Sequence, residues 1–185
     1  TLGCTNTASS LASIIGTTSG TLTKTGAGTW TLSGASTYTG LTTISAGTLK
    51  LGATGGATNT PLGTTAAGTV VSATGAALDL NGFTLGTAEA LTLNGTGVSS
   101  GGALMNSGSA ATYSGLITLG SSGVSIVGGT GTIAVSNAGT ITGSGYNLTL
   151  GGAQGGSVTS IIGTGAGTLT KADAGTWTLS GVNTF

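Results

Sequence analysis

The chain has 185 residues and six formally charged side chains, Lys24, Lys50 and Lys171 against Asp79, Glu89 and Asp173, with neither Arg nor His. A soluble domain carries about 25% charged residues; at 3% this one has no basic stripe to neutralise phosphates, which excludes nucleic acid as a partner. Hydrophobic residues make up 37% and the mean hydropathy is +0.43, the reverse of a disordered composition, yet no apolar run approaches the ~20 residues that cross a bilayer as a helix.

In chain order, apolar residues alternate over short stretches: Trp30/Leu32, Leu49/Leu51, Leu78/Leu80, Leu91/Leu93, Ile133/Val135, Leu148/Leu150 and Trp177/Leu179. Period two predicts strands with one buried face. Between them stand Gly-rich turns such as Gly26-Ala27-Gly28, Gly55-Gly56, Asn81-Gly82, Asn94-Gly95, Gly101-Gly102, Gly128-Gly129 and Gly151-Gly152, and glycine at that density argues against any helix of ordinary length.

A long internal repeat selects among the all-β architectures. Ser10–Tyr38 and Ser157–Phe185 align at an offset of 147 with 20 identities over 29 residues. Tandem similarity of this kind points to a solenoid rather than a sandwich. The expectation is a right-handed parallel β-helix of about 20–24 residues per coil, with six or seven coils in the 147-residue unit. Residues 1–148 are read as one repeat unit and 149–185 as the start of the next, in one continuous rod. Phe185 falls where Tyr38 stood, in mid-motif, and Thr1 opens without a leader signature; continuation of the chain or of an assembly is therefore expected.

The segment Gly20–Gly52 resembles the autotransporter-associated β-strand repeat of bacterial type V secreted passengers. The resemblance rests on Leu22, Lys24, Gly26, Gly28 and Thr29, on the Trp30–Gly34 core WTLSG with Leu32, on Tyr38-Thr39-Gly40 and on Ala46–Leu49. A second copy begins at Gly167, with Leu169, Lys171, Trp177, Leu179 and Phe185 at matching positions and Asp173 in place of Gly26, which suggests a tolerant surface turn. The resemblance implies an extracellular β-helix exported through an outer-membrane translocator, located at the bacterial surface or in the extracellular matrix, and it carries over no catalytic position.

Read for chemistry, the residues are sparse. Without His there is no Ser/His/Asp arrangement, Asp79 and Glu89 stand alone, and no calcium-ladder motif is present, so no enzyme activity, metal or cofactor is expected. Runs such as Gly163–Gly167 are turns and not phosphate loops. Cys4 reads as a small half-buried side chain, with an intermolecular bridge as the alternative. Trp30 and Trp177 are expected to close coil cores at equivalent positions of two coils, with sugar stacking as the lesser reading. Tyr38, Tyr113 and Tyr146 are expected at exposed or rim positions, and Lys24 and Lys171 on a solvated face or as edge gatekeepers. The expected partners are the chain itself, end to end and laterally, and surface or matrix polysaccharide. Thr-x-Thr pairs at 21/23, 29/31, 140/142, 168/170 and 176/178 raise ice or carbohydrate binding as the alternative, placed second because their spacing is irregular.

Overall fold

The computed structural model describes residues Thr1–Phe185 and is a parallel β-solenoid of three sides. The first sheet stacks β1 (Leu2–Gly3), β3 (Leu22–Thr25), β5 (Thr42–Ile44), β7 (Thr69–Val71), β9 (Leu91–Leu93), β12 (Ile117–Leu119), β15 (Thr140–Thr142) and β18 (Ile161–Gly163). The second stacks β2 (Ser9–Leu11), β4 (Thr29–Leu32), β6 (Gly47–Leu51), β8 (Ala76–Asp79), β10 (Leu104–Asn106), β13 (Val124–Gly128), β16 (Leu148–Gly151) and β19 (Leu169–Lys171). The third holds β11 (Ala111–Tyr113), β14 (Ile133–Val135), β17 (Gly155–Val158) and β20 (Thr176–Leu179). The helical content is one 3-10 turn, Val98–Ser100, and no helix is long and apolar enough to cross a membrane.

The alternation read from the sequence becomes stacked columns. Leu49, Leu78, Leu104, Ile126 and Leu150 follow one another up the inside of the second sheet, each at most 1% exposed. They belong to a continuous core of 29 buried residues, in which each fully buried Leu or Ile contributes roughly 2 kcal/mol. Each coil presents the same kind of side chain to the coil above and below, so the core is a one-dimensional stack in which neighbours alone touch.

Coil length is less regular than the expected 20–24 residues. It falls to 19 between Thr29 and its partner Thr48 and rises to 29 between Gly47 and Ala76. The long coil carries a loop over 52–68 in which Thr60 and Gly63 form an antiparallel bridge and Leu62, 1% exposed, plugs the core. Within the loop Pro61, which has no N–H to donate to a ladder, sits at the tip between Thr60 and Leu62. On this third side the early coils are joined by irregular backbone bonds, Thr37 N–H to Ile15 O at 3.0 Å and Thr64 N–H to Tyr38 O at 3.1 Å, and regular pairing begins only at β11.

The 147-residue repeat does not equal a whole number of coils. Thr23 leads through Thr43, Val70, Thr92, Thr118 and Thr142 to Gly163, six coils and 140 residues on. The repeat equivalent of Thr23 is Thr170, seven residues further and one side round, on β19. Trp30 therefore lies in the second sheet opposite Ser9, and Trp177 in the third opposite Gly156. This corrects the expectation that the two tryptophans occupy equivalent positions of two coils separated along the axis by a full repeat. Both belong to coils of one solenoid, but the motif has turned by one side between copies.

Candidate functional site: the repeat motif and the open coil

The motif keeps its local structure although it changes side. Trp30 and Leu32 pair with Ser9 and Leu11; Trp177 and Leu179 pair with Gly156 and Val158, each partner shifted by the same 147 positions. Ser36 Oγ accepts from Ile15 N–H at 3.2 Å, and Asn183 Oδ1 accepts from Ile162 N–H at 2.8 Å, again equivalent residues. Gly28 and Gly34 press on the coil beneath, where an added Cβ would lie 2.0 Å from Asn6 O and 2.3 Å from Ser13 O. In the second copy Gly175 and Gly181 approach Gly152 O and Ser160 O in the same way.

Lys24 is fully buried, against the expectation of a solvated or gatekeeping lysine. Its Nζ donates to the carbonyls of Thr25 at 3.0 Å, Gly26 at 2.8 Å and Ala46 at 2.9 Å. An ammonium has three donors, and here all three are used. Desolvation still pushes its pKa below the ordinary lysine value, with nearby Cys4 acting in the opposite sense. Lys171 begins the same arrangement, donating to Ala172 O at 2.8 Å and Asp173 O at 2.6 Å, but it remains exposed. The third acceptor of Lys24, Ala46 O, comes from the next coil; the sequence ends at Phe185, before the equivalent position of the second motif. Asp173 adopts φ 59° where Gly26 has φ 74°, and its Oδ2 accepts from Gly152 N–H at 2.8 Å. The carboxylate thus ties this turn to the coil beneath, which explains the departure from the repeat pattern.

Residues 169–185 stop short of the positions equivalent to 39–51, and the matching side chains are more exposed. Leu32 is 2% exposed and Leu179 38%; Tyr38 is 0% exposed and Phe185 50%. An apolar cavity of about 330 Å³ opens at the last coil, lined among others by Leu150, Leu169, Lys171, Gly175, Trp177 and Leu179. Leu22 is buried and its counterpart Leu169 only half-buried. Trp177 Nε1 donates to Gly151 O at 3.0 Å, whereas Trp30 Nε1 is buried without a partner. Both indoles pack against the core, as expected of them.

Sequence reasoning missed a polar seam inside the rod. Tyr38 and Tyr113, expected at the rim, are 0% and 1% exposed, while Tyr146 is half-buried. Thr42 Oγ1 donates to Leu62 O at 3.0 Å, so Tyr38 Oη must be the donor in its 2.6 Å contact with Thr42 Oγ1. Tyr113 Oη donates to Glu89 O at 2.7 Å. Glu89 itself is 0% exposed and accepts from Thr69 Oγ1; burial raises its pKa to about 7, the hydrogen bond from Thr69 opposing the shift. Burial alternates over Leu85, Thr87 and Glu89, but with threonine and glutamate at the inward positions the segment carries no apolar period to reveal it.

Asp79 does not stand alone either. It is 2% exposed, its Oδ1 accepts from Asn81 N–H and Ser107 N–H, both at 2.9 Å, and Lys50 Nζ lies 3.5 Å from Oδ2. Glu89 is sealed and Asp79 committed to a corner, so the arrangement offers no convergent pair for acid–base chemistry. Cys4 is half-buried, its Sγ 3.8 Å from Asn6 O and 3.9 Å from Thr29 O.

Comparison with known proteins gives one family. The sequence model of the passenger-associated-transport-repeat matches residues 22–51 and 169–185, the same two segments whose local structure repeats. No curated protein and no solved structure matches the chain. The chain is thus a β-solenoid in which residues 22–51 and 169–185 match the passenger-associated-transport-repeat.

Proposed function

We propose that this chain is a non-catalytic structural segment of a secreted bacterial surface protein, a stalk or fibre-forming passenger that acts by rigid coil stacking and by association of its weakly charged sides. The observation that carries the reading is the uninterrupted stack of inner columns in two sheets of eight strands each. Such a stack is hydrogen bonded along its axis and stiff. The repeat family supports export through an outer-membrane translocator. With three basic and three acidic side chains over 185 residues, electrostatic repulsion between rods is small. The test is sedimentation at moderate and high salt: the chain self-associates at ~10 µM and salt leaves the assembly intact, since few ion pairs exist to be screened. A monodisperse monomer in both conditions would refute lateral association.

A second reading has one observation in its favour. The Thr-x-Thr pairs are spread over all three sheets, with Thr23 and Thr140–Thr142 in the first, Thr29–Thr31 and Thr170 in the second and Thr176–Thr178 in the third, but threonines one per coil do line up. Thr23, Thr43, Thr92, Thr118 and Thr142 share one outward column of the first sheet, broken only by Val70. Hydroxyls and methyls repeating at about 4.8 Å are suited to a periodic surface such as ice. Thermal hysteresis in the purified chain, lost in a Thr92→Tyr, Thr118→Tyr double variant, would establish this reading, and its absence in the parent chain would remove it.

A further inference from the structure

We propose that Lys50 and Asp79 condense within the folded chain to an isopeptide bond, Lys50 Nζ to Asp79 Cγ, which ties two successive coils of the rod covalently. The bond forms once per chain, without turnover, and it stands whether or not rods associate.

Three successive coils bring the reacting groups to one corner of the second sheet. Lys50 on β6 and Asp79 on β8 are directly opposite in register, and Ser107 follows β10 in the coil beyond. The side chain of Asp79 is 3% exposed and that of Lys50 29%, with Nζ 3.5 Å from Oδ2. The carboxyl is thus shielded from water while the amine reaches it from the rim.

The two oxygens of Asp79 are held differently. Oδ1 accepts from the main-chain N–H groups of Asn81 and Ser107, both at 2.9 Å. Two donors converging on one oxygen are what an oxyanion needs when the carboxyl carbon becomes tetrahedral. Oδ2 accepts from Ser107 Oγ at 2.6 Å, and that hydroxyl accepts in turn from Lys50 Nζ at 2.8 Å. The line from Nζ through Oγ to Oδ2 is a proton path from the nucleophile to the leaving oxygen.

The condensation balances without a co-reactant. Ser107 takes a proton from the ammonium and gives its own to Oδ2, leaving a neutral amine and a carboxylic acid. The Nζ lone pair attacks Cγ, the C–N bond forms and negative charge collects on Oδ1. A second proton passes from the nitrogen through Ser107 to Oδ2, the C–Oδ2 bond breaks and one water leaves. Well-oriented neighbours react with effective molarities of about 10⁵ M or more, against which the concentration of water is small. The bond clamps the longest coil, 29 residues from Gly47 to Ala76, where an unfolded chain has the most loop entropy to regain. The salt-bridged pair is the reactant state, so stability comparisons of that pair apply to chain whose mass shows it uncondensed.

The test is mass spectrometry of the folded chain before and after a week near neutral pH, intact and after unfolding and digestion with trypsin. The basic residues are Lys24, Lys50 and Lys171, and trypsin does not cut after an acylated lysine. Condensed chain is lighter by one water and yields one peptide, 25–171, in place of 25–50 and 51–171. Lys50→Arg, which keeps the charge at the rim, loses no water, and neither does the parent chain held in urea. Ser107→Ala leaves the two N–H donors to Oδ1 in place and slows the condensation by ~tenfold or more; an equal rate would overturn the relay assigned to Ser107. Loss of water with cleavage after Lys50 retained, the mark of an ester to Ser107 or an imide at Asp79, would overturn the proposal. An unchanged mass after the incubation would overturn it as well.

Discussion

Glu89 receives a hydrogen bond from Thr69 through one carboxyl oxygen, and its other oxygen, Oε2, is buried without a partner. No cation faces it; the groups around it are the hydroxyls of Thr69, Tyr38 and Tyr113. Its pKa is raised from 4.5 to about 7 in the folded chain, so between those values the folded state holds a proton that the unfolded state has released. Stability is therefore greatest below the unfolded pKa, falls as pH rises toward 7, and levels off above it, by up to about 3 kcal/mol. Urea unfolding at pH 4, 6 and 8 checks this, with the midpoint expected to fall across the series. Glu89→Gln should flatten the dependence and be more stable than the parent at pH 8.

Lys24 and Lys171 separate the cost of the corner from the presence of the residue. Lys24→Met orphans the carbonyls of Thr25, Gly26 and Ala46 inside the rod and should cost about 2–4 kcal/mol. Lys171→Met, at the exposed corner, should cost less than about 1 kcal/mol. Thermal midpoints of the two variants measured side by side decide it.

Asp79 and Lys50 form an unequal pair. Asp79 serves two backbone N–H groups as well as the ammonium, so Asp79→Ala should cost about 3–5 kcal/mol. Lys50, with its side chain 29% exposed, should cost no more than about 1 kcal/mol on replacement by Met. Near-equal losses in denaturant unfolding would contradict this account of the corner.

Gly28 and Gly175 test whether the motif glycines are packing devices. An added Cβ meets Asn6 O at 2.0 Å in one case and Gly152 O at 2.3 Å in the other, so Ala at either position should cost about 2–4 kcal/mol. Hydrogen exchange should show the loosening at residues 4–6 for Gly28→Ala and at 152–155 for Gly175→Ala.

Most of the fold was legible in the sequence because a solenoid repeats its instructions. Leu49/Leu51, Leu78/Leu80 and Leu148/Leu150 each enclose a polar residue, Lys50, Asp79 and Thr149, and strict alternation has one strand reading. What the pattern could not show is where each coil closes. Loop 52–68 lengthens one coil without disturbing the alternation on either side, so the side of the rod on which Trp177 falls is not recoverable from period alone. The two lysines illustrate the limit for the site. They occupy equivalent repeat positions, each preceded by Thr-Leu-Thr, yet Lys24 is sealed by residues that lie beyond the motif's lysine corner in the chain, and a charge at a repeat position carries no local sign of what will cover it. Tyr38 and Tyr113 were misplaced for a related reason: their hydroxyls find Thr42 and the Glu89 carbonyl across coils, partners separated by 4 and 24 residues.

Six coils and one side per repeat make the motif advance like the thread of a screw. Copies placed one above another do not line up as a seam; each looks out from the neighbouring side of the rod. In this chain the tryptophan-bearing motif therefore occupies two of the three sides, the second at Trp30 and the third at Trp177, and a change at the same motif position alters a different side of the rod in each.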